Sequence, residues 1–176
     1  MKAWRHFRTV CRHRWIMFRL MCKCGLPWQG LVHDLSKFSP TEFLPSARFF
    51  QGDKSPIEAE KAKLGYSAAW MHHKGHNPHH WEYWVDFGKA GEPIPARIPY
   101  RYVIEMICDY VAAGMTYSKE EWSPAEPLAY FRRVRAGRHF HTGTEGLLEA
   151  YLQVISREGL DVFCRKAREK EWRYLE

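Results

Sequence analysis

The chain has 176 residues, 15% of them aromatic, and a formal charge of +7 from 27 Lys/Arg against 20 Asp/Glu. That length suits one domain with its own core, and the aromatic content excludes intrinsic disorder. No apolar run approaches the ~20 residues that cross a bilayer as a helix.

The elements read as helices throughout. Trp4, Phe7, Val10, Cys11, Trp15, Phe18 and Met21–Cys22 mostly follow three- and four-residue spacing, which predicts an amphipathic helix over 4–23. Gly25 and Pro27 punctuate it, and a second short helix is expected over 28–36. Ser39-Pro40-Thr41-Glu42 is a helix start, with Ser39 as cap and Pro40 in the first position, and that helix runs to about Phe50. Ser55-Pro56 opens another, expected to run unbroken to about His73. Gly75–Pro78 breaks it, and Pro78 is expected to open a short helix through Val85. Residues 86–99, with two glycines and three prolines, read as a loop. Val103, Ile104, Ile107, Val111 and Met115 mark a helix over 100–115. Ser123-Pro124 begins one to about Ala136, and two more are expected at about 147–157 and 159–172. No segment reads as a strand. The expected architecture is one all-α domain of seven to nine helices, with its motifs in about 10–115 and a helical extension over about 120–176.

Five cysteines, an odd number without framework spacing, point to a reducing compartment. Cys22 and Cys24 form a C-x-C pair, read as two helix residues rather than a zinc or redox motif. Arg19 and Lys23 interrupt the apolar stretch that a signal peptide would need, so the expected location is cytoplasmic. The basic charge fits nucleic acid, anionic substrates or a membrane surface and selects none of them. Much of it lies in 2–23 and in the run Arg132-Arg133-Val134-Arg135-Ala136-Gly137-Arg138, both read as solvated helix faces.

Four features carry chemistry. His33-Asp34 offers an imidazole and a carboxylate, suited to Zn, Fe, Mn, Ni or Co. Residues 72–80 hold five of the ten histidines, where an even spread would place about half of one. Such a cluster at a helix break can close on a metal or, when protonated, bind phosphate. Asp109 interrupts an apolar helix and needs a partner if buried, with Glu105 one turn earlier on the same face. One of the two is a candidate ligand, or a group that holds one. His13, alone, would read as a surface histidine on the first helix.

In this order the chain resembles the HD-domain superfamily of metal-dependent phosphohydrolases. The closer likeness is to a small HD-like family with an H-D-L-S-K-F-S-P-x-E-F block, an A-W-x-H-H block with a following H-H-W-x-Y-W, and a later E-M-x-x-D. Those blocks stand here at His33–Phe43, Ala69–His73 with His79–Trp84, and Glu105–Asp109, and the likeness spans about 10–115. It implies an all-α HD fold with His13, His33, Asp34 and Asp109 around one metal. Further histidines mark the dinuclear branches: His73 and His80 are the first choices, His72 and His79 the alternates. The implied cofactor is one or two divalent transition ions (Mn, Fe, Co, Ni or Zn), with Mg as a further candidate. Asp34 could bridge two ions.

Lys37 lies one turn after His33 and would meet a substrate phosphate. Glu42 is a candidate acid/base, although a capping-box role is favoured. Trp70, Trp81, Tyr83 and Trp84 surround the cluster as core or as a stacking wall. Lys74, Arg97 and Arg101 are candidate phosphate contacts, and His72, His76 and His79 complete the expected substrate surround. The expected activity is hydrolysis of a phosphoester of a nucleotide or cyclic nucleotide. The competing readings are an HD-type di-iron oxygenase and a non-catalytic nucleic-acid module using Arg5, Arg8, Arg12, Arg14 and Arg19. Expected partners are a phosphorylated small molecule, with nucleic acid and a second copy of the chain as alternatives and no membrane.

Overall fold

The computed structural model describes residues 2–52, 54–118 and 121–172. Among them are nine α-helices: α1 (Lys2–Lys23), α2 (Pro27–Val32), α3 (Pro40–Phe49), α4 (Pro56–Leu64), α5 (Ala68–His76), α6 (Tyr100–Tyr117), α7 (Glu126–Val134), α8 (Thr142–Glu158) and α9 (Leu160–Glu169). The fold is all-α, as the periodicity predicts. No described helix is long and apolar enough to cross a membrane.

The core is organised around α6. Its Val103, Ile104, Met106, Ile107, Cys108, Val111 and Ala112 are buried, so the predicted apolar stripe is the packed face. They share one cluster with Met17, Leu20 and Met21 of α1, Phe131 of α7, Leu148, Tyr151 and Leu152 of α8, and Phe163 of α9. The C-terminal helices therefore complete the core that α1 and α6 begin. Gly30 lets α2 lie directly on α1: a Cβ there would sit 2.6 Å from the Met21 side chain.

Several sequence expectations are corrected. In α1 the buried face is His6, Val10, His13, Met17, Leu20 and Met21. Val10 and Met21 of the predicted stripe are buried, but Trp4 and Trp15 are 64% and 61% exposed, so the stripe is only in part the packed face. The hydrophobicity of Trp and Phe misplaced the face because two of the buried positions are histidines.

The helix expected over 28–36 stops at Val32. Asp34 adopts a left-handed conformation (φ 54, ψ 26), and a short 3-10 turn follows over Leu35–Phe38. The long helix from Pro56 divides in two: Gly65 ends α4 in the left-handed region, and Ser67 caps α5 by accepting from the Trp70 N–H. Instead of a helix from Pro78, a turn leads to a 3-10 segment over Trp81–Trp84. The expected loop contains a two-stranded antiparallel hairpin, β1 (Val85–Phe87) and β2 (Pro93–Pro95), in which Asp86 faces Ile94. Strands of three residues are too short to show alternation in a sequence.

Candidate metal centre

The left-handed turn at Asp34 is the local device that builds the site. A non-glycine residue at positive φ is uncommon, though a short polar side chain tolerates it best. Here it ends α2 and turns the Asp34 carboxylate inward, next to His33. Asp34 is 1% exposed and His33 2%. The following turn returns Lys37, whose Nζ donates to Asp34 Oδ2 at 2.5 Å. The pairing depends on α2 ending before Asp34, so that Lys37 lies on the 3-10 turn and not on a continued helix face.

Around Asp34 converge residues from four parts of the chain. His13 comes from α1, with Nε2 3.1 Å from Asp109 Oδ1 and 3.6 Å from Asp34 Oδ2. His33 Nε2 lies 3.1 Å from Asp34 Oδ2. His73 and His79 place Nε2 atoms 3.3 and 3.5 Å from Asp34 Oδ1. Two groups of potential ligand atoms, each within 4.8 Å of one another, share Asp34: His13, His33, Asp34 and Asp109, and Asp34, His73, His79 and His80. A third, His33, His79 and Glu105, overlaps both.

His73 and His80 do not share the face of one helix. α5 ends at His76, and the turn that follows folds His79 and His80 back onto it. Asn77 pins that turn, donating to the His73 carbonyl at 2.8 Å and to Ser36 Oγ at 2.8 Å. Trp84 Nε1 donates to the Pro78 carbonyl at 2.7 Å. Both members of the 79–80 pair therefore reach the cluster.

Two carboxylates orient the rings from behind. Glu42 binds both neighbours of the first pair: Oε1 lies 2.7 Å from His72 Nδ1 and Oε2 2.8 Å from His73 Nδ1. Ser39 still caps α3 through the Glu42 N–H, but the Glu42 side chain serves the histidines and not a capping box. Glu105 Oε1 lies 2.7 Å from His33 Nδ1 and 3.1 Å from His79 Nδ1, and Gln29 Nε2 donates to its other oxygen. A ring whose Nδ1–H is held by a carboxylate presents Nε2 as a lone pair, which is how ligating histidines are commonly fixed.

Those presented atoms lack matches. His13 Nε2, His33 Nε2, His79 Nε2, His80 Nε2 and Asp34 Oδ1 are buried without a hydrogen-bond partner among the described residues. Each such atom costs about 1–3 kcal/mol when left unsatisfied. Gathered in two groups that share Asp34, they fit bound cations, and neutral imidazole with carboxylate is the donor set of a divalent transition metal. The electrostatics agree. Burial, reinforced by the neighbouring histidines, pushes His80 well below its usual range, and burial likewise lowers His73. Burial also opposes charge on Asp34, but His33, Lys37 and His73 outweigh it and hold the carboxyl well below the carboxylate range. At His33 burial is outweighed by Asp34, Glu105 and Asp109, which raise it to about 10. The carboxylates thus demand positive charge at this position.

The cluster forms one wall of a cavity of about 400 Å³, within the size range of small-molecule sites. Lys37, His13, His73, His79, His80 and Asp109 line it, with Trp70 and Trp81. α6 and residues 130–138 add Tyr110, Tyr130, Arg133 and Arg138. The remaining expected substrate residues fall elsewhere. His76 is exposed and stacks on His72 with ring centres 4.0 Å apart, its Nδ1 toward the His72 carbonyl. Tyr83 is exposed, and it and Lys74 do not line the cavity. Arg101 lies over the Tyr102 ring and lines a separate pocket against His33, His76 and His79. Arg97, also outside this cavity, lies near Gly143. Sequence reasoning missed Asn77, Gln29, Tyr130, Arg133 and Arg138; only the clustering of charge in 132–138 hinted at the last two.

A family model described as a family of unknown function (DUF5662) matches residues 2–154, and the chain belongs to that family. No curated protein matches the chain, and no solved structure does.

Proposed function

We propose that this family member is a metal-dependent phosphohydrolase of HD type that cleaves a phosphoester of a nucleotide. The observation that carries this reading is the convergence of four unmatched buried imidazole nitrogens on the Asp34 carboxylate, at the wall of a cavity that also presents cations and aromatic rings. His13, His33, Asp34 and Asp109 would hold one ion, and Asp34, His73, His79 and His80 a second. Such ions polarise a phosphoryl oxygen and make water a nucleophile near neutral pH.

The chain's own groups do the rest. Glu42 and Glu105 hold the rings in one orientation. Lys37 remains an ammonium, because Asp34 and Asp109 outweigh the burial that opposes its charge. Its side chain lines the cavity and is partly exposed, which makes Nζ the donor for a phosphoryl oxygen whose charge grows during attack. Trp70 and Trp81 offer flat apolar surface to a base. In the overall reaction water oxygen bonds to phosphorus as the ester P–O bond breaks, and the leaving oxygen takes a proton.

Lys37, Arg133 and Arg138 beside the cluster fit an anionic phosphate ligand, which supports this reading over a di-iron oxygenase acting on a neutral substrate. The test is a panel of phosphomonoesters, cyclic mono- and dinucleotides and nucleoside triphosphates, each with Mn, Co, Ni, Fe and Mg. Turnover that depends on the added metal and disappears in Asp34→Ala is expected. No turnover with any pair, or oxygen consumption by a two-iron protein, would overturn it.

A further inference from the structure

The run of four arginines at 132–138 is sorted by the fold into two pairs. Arg132 donates from Nε and Nη2 to Glu149 Oε1 at 3.0 and 2.9 Å, and Arg135 from Nη1 to Glu149 Oε2 at 3.0 Å. That pair faces α8 and is neutralised there. Arg133 and Arg138 face the cavity, and neither has a carboxylate within ion-pair distance among the described residues.

Tyrosines hold this second pair instead. Arg138 Nη2 donates to the Tyr130 hydroxyl at 2.8 Å, and Nη1 donates to the Tyr110 hydroxyl. Its guanidinium lies 5.4 and 5.7 Å from the same two ring centres, and that of Arg133 lies 5.6 Å from the Tyr130 ring. Tyr110 and Tyr130 meet edge to face at 5.2 Å. Phenols position a guanidinium without cancelling its charge. Two of the five N–H donors of Arg138 are used on the phenols, which leaves three for a ligand. Glu82 and Glu126 also line the cavity. Ser118 donates to Glu126 Oε1 at 2.8 Å, while Glu82 Oε2 is unmatched among the described residues. With Asp109, three carboxylates and the three cations Arg133, Arg138 and Lys37 line the cavity, and of these cations only Lys37 is ion-paired among the described residues.

A guanidinium pair held by aromatic rings and facing a cavity matches a phosphate dianion. We propose that Arg133 and Arg138 form a second anion subsite, and that the substrate class is a nucleoside bisphosphate, with one phosphate at the Asp34 cluster and the other on the arginines. The identity of the reacting phosphate rests on the hydrolase reading; the existence of the subsite does not.

The experiment is calorimetric titration of the protein as purified with adenosine 3′,5′-bisphosphate and with adenosine 5′-monophosphate at fixed ionic strength. At least tenfold tighter binding of the bisphosphate is expected. Arg133→Gln should remove most of that preference and leave monophosphate affinity within twofold. Arg138→Gln should do the same, and Arg138→Lys should restore only part of it, because the fork is lost. Arg138 also ties two tyrosines together, so a melting curve accompanies its variants, and Arg133→Gln decides if they unfold. Equal affinities, binding of neither ligand, or a preference that survives Arg133→Gln would overturn the proposal. A chain that keeps the preference yet hydrolyses nothing with any metal would retain the subsite and lose the hydrolase reading.

Discussion

The acid–histidine cluster and the arginine–tyrosine wall face the same cavity, but their order comes from different sources. In the cluster, charge opposes charge: Asp34 and Glu105 are buried and Asp109 half-buried against histidines, and this is tolerated because each carboxylate meets imidazoles. The wall has cations and no such partners; its rings and hydroxyls fix direction only. A cluster of the first kind is completed by a cation and a wall of the second kind by an anion. On the proposed reading, the ligand of a cavity bordered by both is a phosphate held between metal and guanidinium.

Substitutions can break that comparison, beginning at the cluster. His33→Ala removes a ring shared by two of the three potential ligand groups. It should abolish metal-dependent turnover and remove the ion assigned to His13, His33, Asp34 and Asp109, as read by elemental analysis and phosphate release. Full wild-type metal content would mean that the ring only packs. A smaller loss is expected on Lys37→Ala: metal content unchanged, turnover reduced about 10²–10³-fold, the scale of removing one charge-stabilising donor. Unchanged turnover would make Lys37 a structural partner of Asp34 alone. Glu105→Gln and Glu42→Gln leave the ligands in place and disturb the rings behind them. They should weaken metal binding about 10–100-fold in a chelator competition, with the fold intact.

The smallest effect separates the two arginine pairs. Arg132→Ala and Arg135→Ala remove exposed ion pairs to Glu149. They should cost only about 0–1 kcal/mol in a denaturant melt and leave ligand affinity unchanged. If they weaken nucleotide binding as much as Arg133→Gln does, the run acts as one diffuse basic patch and the sorting by the fold has no functional meaning.

Much of the cluster is legible in the sequence because its residue types are uncommon and close together. Histidines crowded at 72–80, and a His-Asp pair beside a Ser-Pro helix start, stand out from composition alone. Helix positions were legible wherever an apolar stripe decides packing, as in α6. They were not legible where polar residues are buried: His6 and His13 hid the true inner face of α1. Nor was the turn at Asp34 legible, since aspartate seldom takes positive φ and no glycine marks the spot. The choice between His79 and His80 dissolved because Asn77 and Trp84 fold the chain so that both arrive. The arginine wall was illegible for a simpler reason. Arg132, Arg133, Arg135 and Arg138 are the same residue in one run, and only the placement of Glu149, Tyr110 and Tyr130 distinguishes their surroundings.

The central claim is that Asp34 stands between two cation sites. Metal content per chain, measured by elemental analysis after loading with Mn or Co and removal of unbound ions, tests it most directly in wild type beside Asp34→Ala. The account predicts two equivalents in wild type and fewer than one in the variant. Wild-type protein that holds no metal, or a variant that still holds two equivalents, would contradict it.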